Sequence, residues 1–75
     1  MNVYKVRSIV EWIRSQGRLP RDAYGRMLSV EDLMGWFGLN ERLTPGEQLH
    51  MREELASMVE AELSVEELKS SELLR

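Results

Sequence analysis

Apolar residues recur along this chain at helical spacing. Val3, Val6, Ile9, Val10 and Ile13 fall on one side of a helical wheel, with Arg7, Glu11, Arg14 and Ser15 opposite and Trp12 widening the apolar side. Gly17 supplies a C-terminal stop and Pro20 resists re-entry into helix, so residues 17–26 are expected to form the one long irregular segment. The spacing predicts a second helix from Ser29. Leu28-Ser29-Val30-Glu31-Asp32-Leu33 reads as a capping box inside a hydrophobic staple: Ser29 caps, Asp32 returns the bond and Leu28 packs on Leu33. Val30, Leu33, Met34 and Phe37 form its inner face, Trp36 lies beside that face, and Gly38 ends the helix.

The sharpest local signal is Thr44-Pro45-Gly46-Glu47. Thr44 caps a third helix, Pro45 occupies its first position and Glu47 completes the box. Leu49, Ala56, Val59 and Leu63 make one stripe along it, and Met51, Leu55 and Met58 an adjoining one. Together they cover about half the circumference at ~100° per residue. Arg52 lies within that half, with its stem along it and its head in water. Leu63-Ser64-Val65-Glu66-Glu67-Leu68 repeats the helix-start pattern of residues 28–33, which predicts a kink or fresh start at Ser64. The periodicity then decays, and residues 68–75 are expected to fray. The fold class is therefore all-α: a small bundle of three helices plus a shorter C-terminal fourth, in a single helical domain over residues 1–75.

Composition narrows the setting. With 75 residues, 43% of them apolar, the chain has enough for one core. That core is marginal, because a chain of this size buries only about 60% of the surface its unfolded form exposes. The absence of cysteine rules out disulfides and thiolate metal sites and suits a reducing compartment. Lys5, Arg7 and Glu11 interrupt the first apolar stretch before a secretory h-region forms, and no apolar run approaches the ~20 residues of a membrane span. A soluble, cytoplasmic protein without a membrane partner is expected.

Charge is divided along the chain. Residues 1–27 carry six cations against two carboxylates; residues 28–75 carry four against eleven, and the net charge is −3. One end suits acidic surfaces and the other basic ones. Arginine outnumbers lysine eight to two, which fits either a GC-rich coding sequence or bidentate contacts to phosphate and carboxylate.

Catalytic and metal chemistry find little support. His50 is the single histidine, and Ser57 lies two helical turns from it, ~10 Å along the axis and beyond hydrogen-bond reach. No enzyme and no cofactor are expected. Glu47-Gln48-Leu49-His50 has the Glu-x-x-His spacing of carboxylate-bridged di-iron bundles. Glu47 is used in the capping box, however, and both side chains are expected to face solvent, so no metal site is expected. Residues 30–40 resemble the first helix and turn of a helix-turn-helix motif, including glycine at the turn. The resemblance ends there. Met34 is large where the motif needs a small residue, Pro45 and Gly46 oppose a reading helix continuous from Asn40, and Glu41 and Glu47 repel phosphate.

Two surfaces remain. The loop carrying Arg18, Arg21, Tyr24 and Arg26 joins cations to a stacking-capable ring and suits nucleic acid; alternatively its arginines pair with the acidic half of the same chain. The acidic half offers Glu53, Glu54 and Glu60 to a basic groove on a larger protein. Met51, Leu55 and Met58 supply either an apolar contact to a partner or second copy, or core. The expectation is a small non-enzymatic interaction protein of bacterial or bacteriophage type. It would dock on a larger machine of transcription, replication or nuclease action and modulate or inhibit it. The alternatives are a nucleic-acid-binding regulator acting through residues 18–26 and a structural homo-oligomer built on the third helix.

Overall fold

Val6, Val10 and Ile13 recur at intervals of four and three, and α1 (Val3–Ser15) buries all three on one face. The computed structural model describes the backbone of residues 3–73 and the side chains of residues 3–69. It adds α2 (Val30–Trp36), α3 (Leu39–Arg42) and α4 (Pro45–Leu73), and no strand is present among the described residues. Both α1 and α2 pack against α4, and the core lies between them: Leu33 and Met34 from α2, Leu39 from α3, Met51, Leu55 and Met58 from α4.

Local chemistry sets the helix ends. The amides of Gln16 and Gly17 donate to Ile13 and Arg14 carbonyls, and Gly17 turns the chain out of α1 at φ +89°, a region open to glycine at little cost. Ser29 Oγ accepts the Asp32 amide at 3.1 Å. Asp32 does not return the bond, so only half of the predicted box forms there. The box at α4 is complete: Thr44 Oγ1 accepts the Glu47 amide at 3.3 Å, and Glu47 Oε1 accepts the Thr44 amide at 2.9 Å. Lys5 of α1 approaches the same carboxylate at 3.8 Å and donates to the Arg42 carbonyl at 2.7 Å. Glu47 is only 3% exposed, so the expectation that it faces solvent is corrected.

The helix count also differs from expectation. The segment between the predicted second and third helices contains the single turn α3. Leu39 and Leu43 are four apart, and one turn of helix lets both reach the core. Gln48 then donates to the carbonyls of Asn40 and Leu43 at 3.1 and 2.9 Å, satisfying acceptors that a helix end leaves open. At the other end, Ser64 interrupts nothing. The third and fourth predicted helices are one 29-residue helix. Serine lacks the steric penalty of proline, and a capping pattern inside a propagating helix has no free amide to cap. Helix α4 runs to Leu73, and residues 74–75, the end of the segment expected to fray, lie outside the described residues.

The two apolar stripes of α4 are covered unequally, with Val59 of the first half-buried against the core. Met51 and Leu55 have 0% exposure and Met58 is buried beside them, whereas Leu49, Ala56 and Leu63 are exposed. The methionine stripe is core, so a homo-oligomer through this helix would have to use its other faces. Met51→Glu is therefore expected to unfold the chain instead of yielding a folded monomer. It puts a carboxylate in a dry core whose total stability is about 4–11 kcal/mol at this length. Leu55→Ala should cost about 2–5 kcal/mol. Far-UV circular dichroism and thermal melts of both variants check this.

Candidate functional site

Residues 17–28 form the basic loop, and the structure shows what its arginines touch. A narrow turn closes on itself: the Asp22 amide donates to the Arg26 carbonyl at 3.0 Å, and the Gly25 amide donates back to Asp22 at 3.0 Å. Asp22 Oδ1 accepts the amides of Tyr24 and Arg26 at 2.8 and 2.9 Å, and Asp22 Oδ2 lies 3.1 Å from Arg26 Nε. The Arg26 guanidinium also sits 5.1 Å over the Tyr24 ring. The backbone bonds to Asp22, that from Arg26 foremost, hold its carboxyl below the ordinary aspartate range.

The loop is then tied to α4. Glu62 Oε1 accepts the Leu19 amide at 2.5 Å, and Glu62 Oε2 pairs with Arg21 at 3.3 Å. Glu66, one turn further, bonds Arg21 and lies 3.5 Å from Arg18. The bond to Glu66 is the main reason the Arg21 guanidinium holds its proton even more firmly than usual. Leu19, whose amide this clamp holds, lies in the core. Arg18, Arg21 and Arg26 are thus each engaged by a carboxylate of their own chain, and the charge division along the sequence is partly neutralised inside the fold. Tyr24 remains exposed.

The other candidate residues separate. Met51, Leu55 and Met58 lie in the core. Glu53 and Glu60 are exposed on the outer side of α4, together with Glu67. Glu54 points elsewhere: it is half-buried and lines a cavity of about 470 Å³ with Arg7, Glu11, Arg14 and His50. His50 Nδ1 is 3.9 Å from Glu53 Oε2, while Ser57 lines a different cavity with Glu62 and Met58. No serine–histidine pair forms, and no group of three metal-ligating side chains occurs among the described residues. Nor is any helix of the described residues long and apolar enough to cross a membrane. The Arg52 head, expected in water, is instead paired with Glu31 of α2 at 2.6 Å.

One surface was not anticipated. Trp12 and Trp36 are 53% and 64% exposed, and Trp12 meets Phe37 edge-on at 5.8 Å and 84°. Tryptophan at the margin of two separate apolar faces was the available signal; that the margins meet is a property of helix placement. No protein-family model, curated protein or solved structure matches the chain.

Two outcomes follow from the clamp and the turn. Glu62→Ala should speed hydrogen exchange at the Leu19 amide while leaving the amides of α1 protected; unchanged exchange would remove the clamp's role. Because the Asp22 pKa is lowered by folding, its contribution is complete above the ordinary value of about 4 and is lost as pH falls through the lower folded value. Amide shifts of Tyr24 and Arg26 should therefore titrate with a midpoint below that ordinary range.

Proposed function

We propose that this chain is a non-enzymatic docking protein that presents the outer face of α4 to a basic surface on a larger protein and modulates it. One observation supports the reading. Leu49, Ala56 and Leu63 recur every seven residues on the exposed side of α4, and Glu53, Glu60 and Glu67 recur with the same interval beside them. Seven residues fall ~20° short of two turns, so each set forms a nearly straight row. The result is an apolar row edged by a carboxylate row, both exposed among the described residues.

That pairing selects a partner. Apolar surface favours association with little preference for direction, and the carboxylates steer it toward cations while resisting a second copy of the same acidic face. Machinery that handles nucleic acid exposes basic grooves of this kind, so transcription, replication or nuclease proteins are the target class we favour. The pairing of half-buried Arg21 with both Glu62 and Glu66 argues against nucleic acid as the direct ligand of residues 18–26.

The test is site-specific photo-crosslinking from position 56 in nuclease-treated bacterial lysate. A discrete protein should crosslink to the parent and be lost when Glu53, Glu60 and Glu67 are all changed to Lys, with the far-UV spectrum unchanged. Capture that ignores this reversal, or recovery of nucleic acid alone, would sink the proposal.

A further inference from the structure

Two cavities of about 290 and 240 Å³ share Trp12 and Phe37 as a common wall, making one groove between α1 and the α2–α3 corner. Ile9, Leu39 and Arg42 line the first; Leu19, Pro20, Trp36 and Arg18 line the second. The chain has two tryptophans and both are here. Neither indole N–H has a hydrogen-bond partner among the described residues, leaving two donors beside apolar sockets.

We propose that this groove binds a short acidic peptide segment of a partner protein, seating two apolar side chains in the sockets and carboxylates on Arg18 and Arg42. Charge decides the occupant. The lining of both cavities contains two arginines and no carboxylate, whereas the neighbouring cavities contain Glu62 in one case and Glu11 with Glu54 in the other. The Arg42 guanidinium has no carboxylate within ion-pair distance among the described residues. Arg18 pairs with Glu66 alone among the described residues, at 3.5 Å, and its side chain is largely in water. An exposed pair of that kind is worth little, so an incoming carboxylate displaces or shares it readily.

Socket size and shape agree. Each cavity is near the ~300 Å³ lower bound of ligand pockets, which suits single anchoring side chains. Nucleic acid fits less well. Two cations neutralise about two phosphates, and Trp12, already packed edge-on against Phe37, makes the wall of a socket instead of an open platform for bases. The inference stands on a different surface from the acidic row of α4 and does not depend on it. With both, one small protein bridges a basic and an acidic partner.

Because both tryptophans line the groove, their emission reports its occupancy directly. The intact chain is titrated with three probes free of tryptophan. These are a twelve-residue peptide with Phe and Leu spaced among Asp and Glu, the same peptide with Lys at every acidic position, and a twelve-nucleotide oligothymidine. The acidic peptide should give a saturable blue shift, with binding at least tenfold tighter than the lysine peptide. Arg42→Glu alone should reduce that preference. Arg18→Glu with Arg42→Glu should invert it at unchanged helical content, a reversal that loss of folding cannot produce. Equal response to both peptides, no response to the acidic one, or a response to the oligonucleotide alone would overturn the proposal. So would a blue shift of the protein alone with rising concentration, which would make a second copy the occupant.

Discussion

The carboxylate of Glu47 sets the rotational phase of α4, and the remaining architecture follows from that phase. A helix is stiff about its own axis, so fixing its first turn fixes the azimuth of every residue beyond it. Glu47 accepts the Thr44 amide and faces Lys5 from a site almost closed to water. A charge so placed tolerates little rotation, because leaving its partners would strand it in a dry environment. At that phase Met51, Leu55 and Met58 point inward, Leu49, Ala56 and Leu63 point outward, and Glu62 and Glu66 face the arginine loop.

The same phase explains why the charge division of the chain is less polar in space than in sequence. Arginines from the first third meet carboxylates from the last third across the fold, so part of the opposing charge is used to hold a loop. What remains outside is selective. Carboxylates edge the free apolar row of α4, whereas arginines edge the tryptophan groove. Surplus charge therefore lies next to exposed apolar surface in both places, the combination that gives an interface both contact area and orientation.

Much of this was legible in the sequence where the governing contacts are local. The all-α class, the ends of α1 and α2 and the box at Thr44 rest on neighbours within four residues, and the residues themselves carry the signal. Ser64 misled because a nearly identical local pattern has no effect once a helix is already propagating. The choice between the two stripes of α4 was not available from periodicity, since the wheel defines an apolar half without saying which part neighbouring helices will cover. Glu54 illustrates the same limit at one residue: adjacent to Glu53 in sequence, it is turned ~100° away and belongs to another surface. The groove of Trp12 and Trp36 depends on how α1 meets α2, and no local pattern encodes that meeting.

The Glu62 tie to Leu19 joins residues 43 positions apart, and this separation orders the assembly of the fold in time. Helical turns and capping boxes close over a few residues and form first. The tie cannot form until α4 has grown past its midpoint and α1 has docked, because the entropy of closing so long a segment is recovered only when both ends are already placed. The loop is therefore among the last segments to be captured. Its interactions act mainly as a brake on unfolding, with little share in the rate at which the chain first finds its structure.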